Sequence, residues 1–316
     1  MEVSLGYWIG FFAFIIVMLA LDLGVFHRTN EAPTIKSSLL WSAFWIGLAF
    51  TFAGGIWLIA DGHQALDFIT AYLLEKSLSI DNIFIFILVF NFFKIDLKYQ
   101  HRLLFWGVFG ALVMRVIFIF AGVVLLDKFK WLMIVFGLFL IITGVRMLFE
   151  KDESGDLNNN IIIKTLRRLF PFKENATVAK FFVKVDGKTF ATQFFISLLF
   201  IEASDLIFAV DSIPAVLSVS QNSFIVVTSN IFAIMGLRSL YFAIGGILPL
   251  FRYIKYALSL ILAFIGFKML LNEADHYFHF GFHISNIASL IVIVSLITVS
   301  IVASMIVDRA VKRKRL

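Results

Sequence analysis

Nine apolar stretches, each long enough to cross a bilayer as a helix, take up most of the chain and constrain its fold more than any other feature. They cover approximately residues 6–26, 39–60, 65–93, 102–126, 131–149, 190–217, 224–247, 254–271 and 284–306. A helix needs about 17–25 apolar residues to span the hydrocarbon core. Because 61% of the 316 residues are hydrophobic, one soluble core could not bury them all. The sequence therefore predicts an all-α membrane protein with about nine transmembrane helices.

The distribution of Lys and Arg predicts the orientation of these spans. Loops on one side of the membrane carry most of the basic residues, and the opposite loops carry only Lys128 and Lys130. Cytoplasmic loops are enriched in Lys and Arg, so we expect the N-terminus outside and the C-terminus in the cytoplasm. No basic segment precedes the first span, which is expected to be retained. This asymmetry explains the net charge of +6 without nucleic-acid binding.

Three consecutive spans are repeated later in the chain. Glu75 to Ile83 reads E-K-S-L-S-I-D-N-I, and Asp205 to Ile213 reads D-L-I-F-A-V-D-S-I. The next spans match through Arg115 and Arg238, and the spans after those both end in a Gly-x-basic-Met-Leu string. Because three is an odd number, the second copy enters the bilayer from the other side. The sequence predicts a 3+3 inverted-topology repeat, with spans 3–5 repeated as spans 6–8.

The chain is expected to divide into four parts. Residues 1–149 hold spans 1–5, residues 150–189 form a cytoplasmic linker, and residues 190–308 hold spans 6–9, followed by a basic cytoplasmic tail at 309–316. The linker contains the amphipathic string N-I-I-I-K-T-L-R-R-L-F and a hairpin-type turn at Val185-Asp186-Gly187-Lys188. These patterns predict an interfacial helix and a small hairpin.

Two of the spans contain acidic residues at membrane depth. The five carboxylates are Glu75, Asp81, Glu202, Asp205 and Asp211. A charge at the bilayer centre costs about 2.5–3.5 kcal/mol even on the lenient insertion scale, so such groups usually mark an ion or proton path. Oxygen ligands suit Mn²⁺, Mg²⁺ or Ca²⁺ better than copper or zinc. We therefore predict that these acids hold a divalent cation.

Helical geometry restricts how the acids can meet. On an unbroken helix, six residues at about 100° each put Asp81 about 120° from Glu75, so both reach one ion only if the helix opens. Pro214 removes an amide donor and predicts such a break in span six. Three small polar residues could add oxygen ligands: Asn82, Ser212 and Asn230, the last with Thr228 and Ser229 beside it.

Three basic residues lie in the same spans or in those that follow them. We expect Lys76, Arg115 and Arg238 to be structural counter-ions. Under the alternative hypothesis, the arginines simply neutralise the acids and hold the helices together.

A histidine cluster in an outside loop is a weaker candidate. His276, His279 and His283 have spacings of three and four, which could form a metal site on a helix. A surface cluster in an aromatic loop is the favoured interpretation.

The assembled motifs resemble the TerC family, and specifically its Alx-like branch. The matching strings are L-L-E-K-S-L-S-I-D-N-I-F from Leu73, E-A-S-D-L-I-F-A-V-D-S-I-P-A-V from Glu202 and F-I-V-V-T-S-N-I-F-A-I-M-G-L-R-S-L-Y-F from Phe224. The resemblance implies an integral protein of the bacterial plasma membrane. The family name refers to tellurium resistance, and the resemblance also implies manganese efflux and supply of metal to exported enzymes. On the matching positions it places ion handling at the five acids.

Three classes of function compete at this point. We favour an exporter of divalent cations, with Mn²⁺ as the expected cargo and protons as a coupling ion. Its transport is expected to be of the secondary type because no nucleotide-binding string occurs. The alternative is a membrane-assembly or scaffold protein in which the buried acids are structural. Enzymatic activity is not expected, since no G-x-G-D string or Ser/His arrangement lies within a span. We expect no cofactor, and the chain has no cysteine for thiolate metal sites.

Overall fold

The computed structural model describes residues 4–24, 34–129, 131–149, 165, 180–185, 188–247, 253–278 and 284–315. Within these ranges the chain forms ten helices and one hairpin. The helices are α1 (Leu5–Gly24), α2 (Ile35–Ile59), α3 (Gly62–Phe92), α4 (Leu97–Lys128), α5 (Leu132–Phe149), α6 (Gln193–Leu217), α7 (Ser223–Met235), α8 (Leu237–Ile247), α9 (Ile254–Phe278) and α10 (Asn286–Arg315), and the strands are β1 (Phe182–Val185) and β2 (Lys188–Ala191).

Three helices begin at side chains that cap their first turn. The Thr34 hydroxyl accepts a hydrogen bond from the Ser37 amide at 3.2 Å at the start of α2. Thr192 does the same for α6, and the Asn222 side-chain oxygen accepts from the Phe224 amide at 3.0 Å at the start of α7. Each cap satisfies a backbone donor that has no partner inside its helix. The caps fix where these helices start after short loops.

Seven segments are long and apolar enough to cross a membrane in the part of the chain that the structure describes. They are Ile35–Ile59, Leu97–Leu126, Leu132–Phe149, Gln193–Leu217, Ser223–Ala243, Ile254–Asp275 and Asn286–Val307. The apolar run in α1 is shorter, Leu5–Ala20. Large apolar side chains cover the outside of the bundle, for example Leu58 at 87% and Phe149 at 80% exposure. Such a surface requires a hydrocarbon environment.

Two helices differ from the expected pattern of breaks. Helix α6 is continuous from Gln193 to Leu217, so the break predicted at Pro214 is wrong. A single proline removes one backbone bond and lies near the end of the helix, where the Ser218 amide still donates to the Pro214 carbonyl at 3.0 Å. The span predicted at 224–247 is instead divided into α7 and α8 at Gly236.

The helices that match in sequence pack across one another. Helix α3 packs against α6 and α7, and helix α4 packs against α6 and α7 as well. Helices α5 and α9 form the most extensive contact in the molecule. The acidic segments of α3 and α6 therefore lie in the centre of the bundle, with α2 and α10 on α3.

The α5–α9 contact depends on glycine. A Cβ at Gly144 would lie 2.7 Å from both the Ser259 carbonyl oxygen and the Ala263 amide nitrogen. A Cβ at Gly266 would lie 2.5 Å from the Gly137 carbonyl oxygen. The Ser259 hydroxyl donates to the Gly144 carbonyl. Small residues let the two backbones touch, which is how transmembrane helices commonly associate.

A small hairpin precedes α6. Strands β1 and β2 are antiparallel, and Phe182 pairs with Ala191 while Val185 pairs with Lys188. They lie where the sequence predicts a hairpin. The predicted interfacial helix lies outside the described residues apart from Thr165, and so do the turn residues Asp186 and Gly187.

Candidate functional site

An arginine joins two carboxylates in the centre of the bundle. Arg115 of α4 forms an ion pair with Glu75 of α3 through one guanidinium nitrogen. Its Nη2 donates to Asp205 Oδ1 of α6 at 3.0 Å, and its Nε lies 3.3 Å from Asp205 Oδ2. The exposed fractions are 0% for Glu75, 2% for Arg115 and 6% for Asp205. Three helices therefore meet at a buried, charge-assisted contact, which we call the acidic centre.

Amide and hydroxyl groups surround the acidic centre. The Asn82 side-chain amide donates to Asp205 Oδ1 at 2.8 Å, which links α3 to α6 a second time. Among the described residues, Asn82 Oδ1, Ser79 Oγ and Ser212 Oγ are buried and have no hydrogen-bond partner. Ser79 lies one turn from both Glu75 and Asn82 on α3. Buried polar groups are usually paired, so these three atoms need an explanation.

Glu202 lies beside the acidic centre without a counter-ion. It precedes Asp205 by three residues, so the two carboxylates share one face of α6. The residues that the structure describes form no ion pair or hydrogen bond with Glu202. Its carboxylate lies against α4 at Gly110, where a Cβ would collide with it. Sequence reasoning missed Gly110, although a glycine within an apolar helix is a signal of close contact.

The other predicted site residues are only partly described. Asp81 and Asp211 lie in continuous helices, α3 and α6, and the structure does not describe their side chains. No group of three or more His, Cys, Asp or Glu side chains that could hold a metal is present among the described residues. Of the five predicted acids, the structure joins Glu75 and Asp205 through Arg115, and Glu202 lies one turn before Asp205 on α6. The side chains of His276, His279 and His283 lie outside the described residues.

The predicted counter-ions have different surroundings. Arg115 is in the acidic centre, and Arg238 is buried at 4% exposure. Lys76 instead donates to the Ala233 backbone carbonyl at 3.1 Å, at the break between α7 and α8. Among the described residues no carboxylate lies within ion-pair distance of Lys76. Sequence reasoning counted Lys76 as a counter-ion because it is a basic residue within an acidic span, but it follows Glu75 directly and successive helical residues face different directions.

The polar residues of α7 divide into two kinds. Thr228 and Ser229 donate to backbone carbonyls of their own helix, as hydroxyls in transmembrane helices commonly do. Asn230 is 1% exposed, and neither of its amide atoms has a hydrogen-bond partner within the described ranges. Of these three residues, Asn230 is the one with free ligand capacity.

A second polar cluster, not predicted from the sequence, joins three helices and the loop after α6, at the opposite end of α3 from Phe92. The Lys268 ammonium donates to the Asn286 side-chain oxygen at 2.5 Å. The Asn286 amide donates to Asp67 Oδ1 at 2.6 Å and to the Val219 carbonyl at 2.9 Å. These residues are far apart in sequence, and no motif connects them. The cluster connects α10 to α3, to α9 and to the loop that follows α6.

Comparison with known proteins identifies the family. Residues 60–312, which include both acidic helices and both matching sets of spans, fit the model of the integral membrane protein TerC family. The chain belongs to the TerC family. The matched region contains every residue of the acidic centre.

Bacterial TerC relatives cover nearly the same length. An uncharacterised membrane protein from Myxococcus xanthus is 46% identical over 306 residues, covering 97% of this chain and 94% of that protein. Alx from Escherichia coli K12, provisionally named a membrane-bound redox modulator, is 41% identical over 280 residues, covering 85% and 87%. No solved structure matches the chain. The chain is thus an integral, multi-pass membrane protein related to bacterial proteins.

Proposed function

We propose that this TerC protein is a secondary-type transporter that exports divalent cations, with Mn²⁺ as the expected cargo, across the bacterial plasma membrane. The observation that carries the proposal is the acidic centre. Two carboxylates from α3 and α6 meet there in an apolar bundle with a third, Glu202, beside them. Buried acids are retained at membrane depth mainly where they handle ions or protons.

The arrangement of the helices supports two inverted repeats of three spans each, α3–α5 and α6–α9. The first helix of each unit packs against the second of the other, because α3 contacts α7 and α4 contacts α6. The third helices, α5 and α9, cross at matching positions. Gly144 meets Ala263 while Gly266 meets Ile141, and these contacts interchange under a shift of 122 residues. Such reciprocal contacts are typical of a two-fold relation.

The repeats bear on transport because they place the acids between two units that can move against one another. Glu75 and Asp205 occupy matching positions, 130 residues apart, on the first helix of each unit. Binding between such units, near the bilayer midplane, is the arrangement used by many secondary transporters. With nine spans counted from α1 to α10, the excess of Lys and Arg in alternate loops supports an N-terminus outside.

The chemistry of the centre suits a hard cation. Among the described residues the Arg115 guanidinium pairs with two carboxylates, so their two formal negative charges exceed its single positive charge. The amide oxygen of Asn82 and the hydroxyls of Ser79 and Ser212 are buried and free to coordinate. Mn²⁺, Mg²⁺ and Ca²⁺ all accept such oxygen ligands. Asp81 and Asp211 remain proposed ligands.

Arg115 is a substitute cation in this arrangement. It occupies the position between Glu75 and Asp205 that a dication would take, so the cargo must displace it to reach both carboxylates. A buried charge left without a partner costs several kcal/mol, roughly 3–5. The guanidinium and the cargo would therefore alternate, which keeps the carboxylates neutralised in every state. Inward proton movement or the membrane potential would supply the drive.

Flux through purified protein tests the proposal. Wild-type protein in liposomes should move Mn²⁺, and a panel of Mn²⁺, Mg²⁺, Ca²⁺ and Zn²⁺, with and without a pH gradient, would establish selectivity and coupling. Asp81→Ala and Asp211→Ala should abolish flux while leaving protein in the membrane. Asp96→Ala, at an exposed site between α3 and α4, is the matched control. Unchanged flux in both test variants would refute a role for these two aspartates.

The second candidate is a membrane-assembly or scaffold protein. The Arg115 contacts favour it, because the guanidinium forms ion pairs with both Glu75 and Asp205 as a structural ion cluster would. Glu75→Gln and Asp205→Asn would then preserve activity, and no metal would move in liposomes. The redox role in the name of the Alx relatives gives no separate mechanism, since this chain has no cysteine for thiol chemistry.

A further inference from the structure

A second unusual feature, outside the acidic centre, is the helix break between α7 and α8. Gly236 interrupts the span Ser223–Ala243 within its length. A Cβ at Gly236 would lie 2.7 Å from Lys76 Nζ and 3.3 Å from Trp45 Cβ. Glycine therefore makes room for the ammonium, and Trp45 of α2, at 3% exposure, covers the break.

The ammonium of Lys76 binds backbone rather than an acid. It donates to the Ala233 carbonyl at 3.1 Å, and a continuous helix would pair that carbonyl with the Leu237 amide. The carbonyls at the end of a helix carry partial negative charge and attract cations. Lys76 thus acts as a cation bound to the C-terminal end of α7.

A further ligand group faces the same region. Asn230 lies three residues before Ala233, on the same face of α7. Its amide is buried, and both polar atoms lack a partner among the described residues. A carbonyl released by a helix break, beside a free amide oxygen, is the arrangement that binds small monovalent cations in transporters with discontinuous helices.

We propose that the break at Gly236 is a monovalent-cation site whose resident cation is the Lys76 ammonium, so that this chain does not use sodium. The ammonium takes the place that a coupling Na⁺ would fill beside the Ala233 carbonyl. The prediction that transport does not need sodium rests on the proposed function. The prediction that the ammonium occupies a cation site does not.

Removing the ammonium should turn the break into a sodium site. Lys76→Ser leaves space and an oxygen beside the Ala233 carbonyl, while Lys76→Met fills the space without a charge. In purified full-length protein, we expect the melting temperature of Lys76→Ser to be at least about 2 °C higher in NaCl than in choline chloride at ~0.15 M. Wild type and Lys76→Met should show no such difference. Lys98→Ser, at an exposed site, is the matched control.

Each result decides for or against the proposal. A sodium-specific shift in wild type, or its absence in Lys76→Ser, would overturn it. Failure to recover folded Lys76→Ser in either salt would also overturn it, because sodium should replace the missing ammonium.

A flux assay separates this inference from the proposed function. Wild-type Mn²⁺ flux in liposomes should be unchanged when NaCl is replaced by choline chloride, and a requirement for sodium would contradict the inference. If no ion moves in any salt, the proposed function fails, while the melting temperatures still report on the cation site.

Discussion

The acidic centre and the α5–α9 crossing join the same two groups of helices by opposite means. At the crossing, Gly144 and Gly266 bring two backbones into contact, and nothing charged is involved. At the centre, Arg115 connects Glu75 and Asp205 through charges that hydrocarbon disfavours. Close packing of small residues is sufficient to hold helices together in a bilayer. Helix packing alone does not require the charged contact, which is why we assign it to the proposed ion exchange.

The largest expected effect comes from removing the guanidinium. Arg115→Met leaves two buried carboxylates without their counter-ion, which should cost about 3–5 kcal/mol of unfolding free energy. Unfolding in detergent measures this loss, and Arg102→Met, at an exposed position of the same helix, is the control. A loss below about 1 kcal/mol would show that the centre is solvated or protonated.

Neutralising the acids together with the arginine sharpens the comparison. The triple variant Arg115→Met, Glu75→Gln, Asp205→Asn should recover most of the stability, because neutral side chains often replace a buried ion cluster without loss. It should not recover Mn²⁺ flux. If the triple variant restored Mn²⁺ flux along with stability, the acidic centre would have a structural role only.

Overfilling the α5–α9 crossing should have a smaller effect. Gly144→Leu and Gly266→Leu force the backbones apart and should each cost about 1–3 kcal/mol, with similar values if the two units are related by a two-fold axis. Flux per folded molecule should change little. Gly54→Leu, which points into open space on α2, is the control. Clearly unequal losses at the two glycines would argue against the two-fold relation.

Gly110→Ala should affect transport more than stability. The new Cβ collides only with the end of the flexible Glu202 side chain, so the carboxylate should move at a cost below about 1 kcal/mol. We expect flux to change several-fold relative to Gly47→Ala, which meets nothing within 4 Å. Unaltered flux would show that Glu202 takes no part in ion movement.

The smallest expected effect is at the edge of the bundle. The Ser42 and Ser239 hydroxyls form a 3.1 Å hydrogen bond between α2 and α8. Interhelical bonds of this kind contribute about 0.6 kcal/mol on average, so Ser42→Ala should shift the unfolding free energy by about that much. A loss of several kcal/mol would mean that α2 supports the cation site at Gly236.

The sequence was sufficient for the helical membrane class, whereas the inverted repeat and the ion-handling role of the acids stay predictions. Apolar spans and acidic positions are local features, and Glu75 and Asp205 are recognisable from their matched strings alone. The contacts made by each basic side chain were not predictable, because they depend on how each helix is rotated about its axis relative to its neighbours. Lys76 and Glu75 are adjacent in sequence, yet they face different helices.

The position of the helix break was the other error. Pro214 is the usual signal for a break, but α6 tolerates it, whereas the break occurs at Gly236. At Gly236 the space left by the missing side chain is occupied by Lys76 Nζ. That condition is tertiary, and a single sequence does not contain it. The Asp67–Asn286–Lys268 cluster was missed for the same reason.

Mn²⁺ flux through Glu202→Gln in liposomes tests the central claim most directly. Glu202 has no ion pair or hydrogen bond among the described residues, so the substitution should leave the melting temperature unchanged or raised. Glu273→Gln on α9 is the matched control. If the acids handle a dication, flux should fall at least about tenfold, equivalent to about 1.4 kcal/mol of lost interaction. Wild-type flux in Glu202→Gln, at equal protein in the liposomes, would contradict the account.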